Sequence, residues 1–181
     1  MFFAKIYIAN QSFNLFMSYF IIIRGPAGIG KSTIAEKLAE VLSGYHFSFD
    51  EIMRKNKLDS IVGDGIPAEN FVKANELIIP QAIEKLKNNN IVIFDGCFYR
   101  KEQIKHLKKN LPFKYYIFSL KSPLKECLER NKTRKKPMTK KAIEEVYELV
   151  SKMEVGIEIE TSGKNMTEVI NQILKYLPKE N

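Results

Sequence analysis

Residues 25–32 combine three glycines with a lysine and a serine in the order G-P-A-G-I-G-K-S. A loop of this kind can wrap around phosphate groups, because glycine permits backbone conformations that turn successive N–H groups toward one anion. Lys31 would reach the β- and γ-phosphates of a nucleoside triphosphate, and the Ser32 hydroxyl would ligate Mg²⁺. An accidental glycine turn followed by Lys-Ser is the alternative interpretation of the same residues.

The segments on either side of the loop favour the phosphate site. An apolar run at 19–23 precedes the loop, and apolar residues from Ile34 to Leu42 follow it at the i, i+4, i+7 and i+8 spacing of a helix. Strand, glycine loop and helix in this order form the context in which the motif binds phosphate, and the helix adds the positive end of its dipole. The predicted nucleotide contacts are Gly25, Ala27, Gly28, Ile29, Gly30, Lys31, Ser32 and Thr33.

Two aspartates stand where predicted strands end. Asp50 follows the strand predicted at 45–49, and Asp95 ends the strand predicted at 91–95. The carboxyl ends of strands line the ligand crevice of a doubly wound sheet. Asp50 could therefore orient or deprotonate an attacking hydroxyl, and Asp95 could join Ser32 in holding Mg²⁺ or a water bound to it. The structural alternatives are a helix N-cap for Asp50 and a tight Asp-Gly turn for Asp95.

Three arginines could meet anionic groups. Arg54 lies one helical turn after Asp50 and could bind the substrate. Arg130 and Arg134 are four residues apart, so both could project from one helical lid at about 130–140 and close on ATP. A solvated basic helix end is an equally simple interpretation of that pair.

Composition limits the class of protein and of partner. The chain has 181 residues, which suits one α/β domain, and its formal net charge is +8. A basic balance favours polyanionic partners from ATP to nucleic acid, although lysines scattered over helix faces produce the same total. Cys97 and Cys127 lack metal-ligand spacing and are typical of a reduced, intracellular protein, so we expect a cytoplasmic location.

Strands and helices alternate after residue 19, which is typical of a parallel sheet covered on both faces. The predicted strands cover 19–24, 45–49, 91–95, 114–120 and 157–161. The predicted helices cover 31–43, 67–88, 101–109, 123–133, 139–153 and 167–177. The fold class is thus α/β in three layers, α/β/α, with one domain at 17–181.

The first sixteen residues form an extension without an assigned role. Their apolar stretch is short and interrupted, so it predicts neither a transmembrane segment nor a cleaved secretory signal. Met17 would be a natural start for a protein that begins with the strand before its phosphate loop.

These motifs together resemble the P-loop kinases, a broad group that includes polynucleotide 5′-hydroxyl kinases, shikimate and gluconate kinases, and nucleoside monophosphate kinases. The resemblance covers about 19–177 and rests on the loop, the Asp50…Arg54 pair and the segments FDGCFYRKEQ, LKSPLKECLERNKTR and IEIETSG. It implies a P-loop NTPase fold with sheet order 2-3-1-4-5, ATP with Mg²⁺, and lid arginines at Arg130 and Arg134 that contact ATP. It also implies that Asp50 positions the acceptor hydroxyl, that Arg54 binds substrate, and that 161–164 lies near the adenine.

The resemblance is incomplete around Arg100. Nucleoside monophosphate kinases resemble a D-G-F-P-R pattern, with arginine four residues after aspartate. Arg100 lies five residues after Asp95 and no proline intervenes, which argues against an ordinary adenylate kinase and leaves Arg100 as a candidate substrate-binding residue. The N-K-x-D pattern by which GTPases recognise their base is also missing, because Arg134 stands where the aspartate would be.

The predicted function is ATP-dependent transfer of a phosphoryl group to a hydroxyl, with Lys31, Asp50 and Arg130 as catalytic residues. The acceptor stays open between a nucleotide or nucleic-acid 5′-hydroxyl and a small-metabolite alcohol. An ATP-binding regulatory or interaction module with little turnover is a further alternative. The intact set of Lys31, Ser32, Asp50 and Asp95 argues against that module.

Overall fold

The computed structural model describes residues 18–134 and 136–178. The predicted extension at 1–16 lies outside the described residues. Within them the strands are β1 (Tyr19–Arg24), β2 (Tyr45–Ser48), β3 (Val92–Gly96), β4 (Lys114–Lys121) and β5 (Ile157–Glu160). The helices are α1 (Lys31–Val41), α2 (Phe49–Lys55), α3 (Ala68–Lys87), α4 (Lys101–Asn110), α5 (Leu124–Lys132), α6 (Lys140–Ser151) and α7 (Met166–Leu174).

The five strands are parallel and lie in the order β2-β3-β1-β4-β5, so the predicted sheet order is confirmed. Every residue of β1 and β3 is buried, as expected for strands that are covered on both faces. The register places Ile23 of β1 beside Asp95 of β3 and Phe118 of β4. The carboxyl ends of these three strands therefore meet at one edge of the sheet, where the loop and Asp95 lie.

Two apolar clusters lie on opposite faces of the sheet. Successive side chains of a strand point to opposite faces, so Ile21 and Ile23 join one cluster while Phe20 and Ile22 join the other. The first cluster receives α1, α5, α6 and α7, and the second receives α2, α3 and α4. This arrangement is the predicted three-layer architecture.

The sequence interpretation omitted α2, the short helix that follows β2. Ser48 occupies its N-cap position, and Asp50 and Glu51 lie in its first turn. The N-cap interpretation of Asp50 is therefore wrong. Phe49 and Met53 of α2 are buried in the second cluster. This packing stabilises a helix of only seven residues, which would be too short to be stable alone.

Two hydrogen bonds between the Asn131 side chain and the Met138 backbone join the two ends of the segment after α5. The Asn131 side chain donates to the Met138 carbonyl oxygen at 2.9 Å and accepts from the Met138 N–H at 3.0 Å. The predicted lid at 130–140 thus consists of the end of α5 and a turn that leads into α6, apart from Lys135, which lies outside the described residues.

Among residues 18–134 and 136–178, no helix combines the length and the apolar character that crossing a bilayer requires.

Candidate active site

The phosphate loop depends on two glycines for different reasons. Gly28 and Gly30 have φ angles of 81° and 98°, in the left-handed region that glycine adopts readily. A Cβ atom on Gly28 would collide with the Cys127 carbonyl oxygen of α5, whereas one on Gly30 would meet nothing within 4 Å. The loop is therefore pressed against α5 at Gly28 and open at Gly30, where α1 begins.

Lys31 folds back over the loop. Its ammonium donates to the Pro26 carbonyl oxygen at 3.1 Å, and the residue is only 6% exposed. Burial lowers the pKa of this ammonium, but nearby acidic groups outweigh burial and raise the pKa above its usual value. These groups belong to Cys97, Asp50 and Asp95. Lys31 is thus a fixed positive charge at the centre of the site.

Asp95 is fully buried and is held through both of its carboxylate oxygens. The Ser32 hydroxyl donates to Oδ2 at 2.8 Å, and His46 Nε2 lies 2.6 Å from Oδ1. The predicted metal-binding pair is therefore brought together across 63 residues of sequence. A hydroxyl and a carboxylate are the hard oxygen donors that suit Mg²⁺, and Ser32 keeps its lone pairs because its proton points to Asp95. The two residues fit a Mg²⁺ ion.

Asp50 faces the site from the first turn of α2. The residue is exposed, but protein atoms surround its carboxylate inside a cleft and raise its pKa above the usual range. The charge of Asp95 also raises the pKa, while Lys31 and Arg134 lower it. An aspartate with a raised pKa is a stronger base than an ordinary one.

One cleft of about 1000 Å³ joins most of the predicted site residues. The predicted residues that line it are Ala27, Gly28, Gly30, Lys31, Ser32, Thr33, Asp50, Arg54, Arg130 and Arg134. Gly25 and Ile29 are buried in the loop, and Asp95 lies behind Ser32. Arg100 is not among the lining residues.

The cleft has two parts. The loop half is lined by residues 27, 28 and 30–33 with Arg130, Arg134 and Lys136. The distal half is lined by Met53, Arg54, Phe71 and Tyr99, by residues between Asp59 and Ile66, and by one face of α6. Asp50 stands between them. The sequence interpretation missed the apolar lining of the distal half, because these residues lie on five different segments and share no local pattern.

Arg130 is held against the phosphate loop. Its guanidinium donates to the Ile29 carbonyl oxygen at 3.1 Å, to Glu126 at 2.9 Å and to the Thr161 carbonyl oxygen at 3.4 Å. Arg134 is exposed and lines the same half. Both predicted lid arginines therefore lie beside the loop, while their contact with ATP stays a prediction, as does the placement of 161–164 near adenine.

Arg100 contacts the 64–66 segment of the distal half without itself lining the cleft. Its Nη2 atom lies 2.7 Å from Asp64 and its Nε donates to the Ile66 carbonyl oxygen at 3.1 Å. The guanidinium also lies over the Tyr99 ring, at 5.3 Å from the centroid, and the Tyr99 hydroxyl accepts the Ile66 N–H at 2.9 Å. Arg100 thus holds the 64–66 segment in place, and a direct contact with substrate stays a prediction.

His46 was missed by the sequence interpretation. Strand β2 pairs with β3 so that His46 lies opposite Ile93. Ile93 precedes Asp95 by two residues, so the side chains of His46 and Asp95 point to the same face of the sheet. That register becomes visible only once the two strands are known to be neighbours.

Fold and site together define a P-loop nucleotide-binding domain of the kinase type. A family model described as an AAA domain, AAA_18, matches residues 21–152, and the chain belongs to this family. A protein of Pyrococcus furiosus named "Putative adenylate kinase" is 28% identical over 165 residues, which are 87% of this chain and 83% of that protein.

Solved structures share the fold. The gluconokinase from Sinorhizobium meliloti 1021 superposes with a TM-score of 0.63 at 16% identity, over 88% of this chain and 91% of that one. The shikimate kinase from Acinetobacter baumannii has a TM-score of 0.57 at 18% identity, over 91% of this chain and 94% of that one. The prediction of a P-loop kinase is confirmed.

Proposed function

We propose that the protein transfers the γ-phosphoryl group of ATP to a hydroxyl of a small molecule bound in the distal half of the cleft. One observation carries this proposal. Asp50 opens into the same cleft as Lys31 and Ser32, so a carboxylate that can orient a hydroxyl faces the loop that would bind the phosphates.

The residues of the cleft have different roles in phosphoryl transfer. Asp50 orients the acceptor hydroxyl and takes its proton. The hydroxyl oxygen then bonds to the γ-phosphorus while the bond between that phosphorus and the leaving ADP oxygen breaks. Lys31, Arg130 and Arg134 place positive charge around the phosphoryl oxygens. Mg²⁺, held through Ser32 with Asp95 behind it, would neutralise phosphate charge when bound. Because the transition state of phosphoryl transfer is loose, positioning by Asp50 matters more than its basicity.

The lining of the distal half supports a small acceptor. Phe71 and Tyr99 meet edge to face with their ring centroids 5.2 Å apart, and they line the cleft together with Met53. Apolar walls with a few polar groups are typical of small-molecule sites. Arg54 and Lys152 are cations of the cleft lining that could hold an anionic group of the acceptor.

The carboxylates that line the distal half would repel a long polyanion. Asp59, Asp64, Glu145 and Glu148 all line this half, and Asp64 among them is paired with Arg100. Like charges repel, so these side chains disfavour a nucleic-acid strand that crosses the distal half.

A nucleic-acid 5′-hydroxyl is the second candidate acceptor. The net charge of +8 and the exposed lysines Lys132 and Lys136 beside Arg134 favour it. Binding of a strand releases counterions, so acceptor affinity would fall steeply with salt, at a log–log slope of about −0.7 for each phosphate contact.

An ATP-consumption assay across a panel of acceptors tests the proposal. The panel contains gluconate, shikimate, AMP, adenosine and a 5′-hydroxyl oligonucleotide, each with Lys31→Ala protein as background. We expect transfer to a small hydroxyl compound, with an acceptor KM that changes little with salt. Transfer to the oligonucleotide alone, with the steep salt slope, would replace the small-molecule proposal. ATP binding without transfer to any acceptor would favour a regulatory module.

A salt series on a charge-reduced variant sharpens the distinction. Replacing Lys132 and Lys136 with Gln should leave a small-acceptor KM unchanged, whereas it should flatten the salt slope of an oligonucleotide acceptor. Lys37→Gln on the outer face of α1 is the matched control, because Lys37 pairs with Glu40 and does not line the cleft.

A further inference from the structure

His46 stands next to the predicted metal-binding pair without being part of it. Its ring extends from β2, the strand at one edge of the sheet, and its Nε2 atom lies 2.6 Å from Oδ1 of Asp95. The His46 side chain is 16% exposed, whereas that of Asp95 is fully buried. The contact therefore links a buried carboxylate at the centre of the site to a half-buried ring near its outer side.

The hydrogen bond has a defined direction. An ionised carboxylate only accepts hydrogen bonds, so against an ionised Asp95 the donor of this contact is Nε2–H of His46. Ser32 donates its hydroxyl proton to the other oxygen of the same carboxylate at 2.8 Å. Asp95 thus accepts one hydrogen bond on each oxygen, and these two donors together determine the orientation of its carboxylate plane.

That orientation controls the Ser32 hydroxyl. While Oδ2 faces Ser32, the serine proton points to Asp95 and the serine lone pairs point away from it. If the His46 contact were lost, the Asp95 carboxylate could rotate about its terminal torsion, which is a soft one. The Ser32 hydroxyl would then lose its fixed hydrogen-bond acceptor, and its lone pairs would no longer point in one fixed direction.

We infer that His46 is a positioning residue for the complex of Mg²⁺ with nucleotide, and that it acts by holding Asp95 so that Asp95 accepts the hydrogen bond of the Ser32 hydroxyl. This inference rests on the proposed function, in which Ser32 ligates the ion. Residues that orient metal ligands commonly change metal affinity by about 10–100-fold when they are replaced.

Two substitutions separate the hydrogen bond from the volume of the ring. His46→Phe keeps a ring of similar size and removes the donor. His46→Gln keeps an N–H donor at a similar distance from the backbone. The matched control is His106→Gln, because His106 is the second of the two histidines and lies on α4, near Asn75 and outside the cleft lining.

Binding of methylanthraniloyl-labelled AMPPNP, an ATP analogue that is not hydrolysed, is measured by fluorescence in Mg²⁺ and in EDTA. The ratio of the two dissociation constants reports the contribution of the ion. In His46→Phe we expect this ratio to fall about tenfold or more, while the dissociation constant in EDTA stays within about twofold. His46→Gln should recover most of the ratio, and His106→Gln should retain all of it.

Each contrary result overturns the inference. If His46→Phe keeps the wild-type ratio, the histidine does not position the site. If His46→Gln loses as much as His46→Phe, ring packing rather than the hydrogen bond is responsible. If wild-type protein binds the analogue equally in Mg²⁺ and EDTA, the proposed magnesium site fails and the inference fails with it. Loss of affinity in EDTA as well would indicate general damage to the loop and also contradict the inference.

A measurement on wild-type protein covers the case in which His46→Phe does not fold. Nitrogen-15 NMR of the two imidazoles, assigned with His106→Gln, reports which ring nitrogen carries the proton. We expect a protonated Nε2 on His46. An unprotonated Nε2 would overturn the inference, because two acceptors cannot share a contact of 2.6 Å.

Discussion

The loop half and the distal half of the cleft are held in different ways. In the loop half, backbone and side chains are joined directly: Lys31 to Pro26, Ser32 to Asp95, and Arg130 to Ile29. In the distal half, the 61–66 segment is held by Arg100 and Tyr99 from behind, and Ile61 and Val62 are 69% and 66% exposed. The charged groups of the loop half are thus fixed by direct contacts, whereas the 61–66 segment is a lightly anchored part of the distal half.

This difference matches what each half must do. Transition-state stabilisation requires charges that are fixed in advance, since reorganising them during reaction would cost free energy. Recognition of an acceptor can use a segment that moves onto the substrate and excludes water. We therefore expect substitutions in the loop half to change turnover and substitutions behind the distal half to change acceptor KM.

The largest expected effect is that of Lys31→Ala. Removing this buried ammonium takes a fixed positive charge from the transferring phosphoryl group, and one such contact contributes about 10²–10³ in kcat. Lys37→Ala, on the outer face of the same helix, is the matched control. Near-native turnover of folded Lys31→Ala protein would show that the loop half is not the catalytic site.

Asp50→Asn should lower kcat by about 10², at the lower end of the range for general bases, because positioning outweighs basicity here. The ATP dissociation constant should stay near the wild-type value, since Asn keeps the size of the side chain. The measurement is kcat beside equilibrium binding of labelled ATP analogue. Glu51→Gln, the exposed neighbour in α2 that pairs with Lys55, serves as control. An equal loss of binding and turnover would place Asp50 on the nucleotide instead.

Arg130→Ala should reduce kcat/KM for ATP by about tenfold, which corresponds to the loss of one charge-assisted hydrogen bond. Arg134→Ala should cost less, because Arg134 is exposed and its side chain must be ordered on binding. Proteolysis near residues 130–138 should slow when ATP analogue is added. Equal proteolysis with and without nucleotide would count against a closing lid.

Arg100→Ala should have the smallest effect on chemistry and a selective effect on the acceptor. It removes the hydrogen bonds to Asp64 and Ile66, so we expect the acceptor KM to rise about threefold to tenfold, on the scale of about 1 kcal/mol for one such contact. The KM for ATP should not change. Tyr99→Phe, which removes only the acceptor of the Ile66 N–H, should raise the acceptor KM less. A rise in the KM for ATP would mean that the two halves are coupled.

The sequence was most informative where the chemistry is contiguous. The loop, its glycines and the start of α1 occupy adjacent residues, and their conformations follow from local backbone preferences. Asp50 and Asp95 could be predicted because a parallel sheet brings strand ends to one edge. The roles of these residues stay predictions that the substitutions above test.

The sequence was least informative where contacts join distant segments. Arg24 ends an apolar strand, and nothing nearby indicates its partners. In the fold its guanidinium is buried and donates to Ser119 at 3.0 Å and to the carbonyl oxygens of Met153 and Val150, both at 2.9 Å. Burial lowers the pKa of Arg24 to about 10, so the side chain remains charged at neutral pH and ties the C-terminal end of α6 to the strand before the loop.

The phosphate loop and the alternating strands and helices can be predicted from the sequence alone, and the kinase resemblance adds the order of the sheet. The fold is needed to show that His46 reaches Asp95 over 49 residues, that Arg130 reaches Ile29 over 101 residues, and which side chains line the distal half. The two kinds of feature differ in the sequence separation over which they act. Backbone preferences and hydrophobic periodicity act over a few residues, whereas these contacts exist only after strand register and helix packing have brought distant segments together.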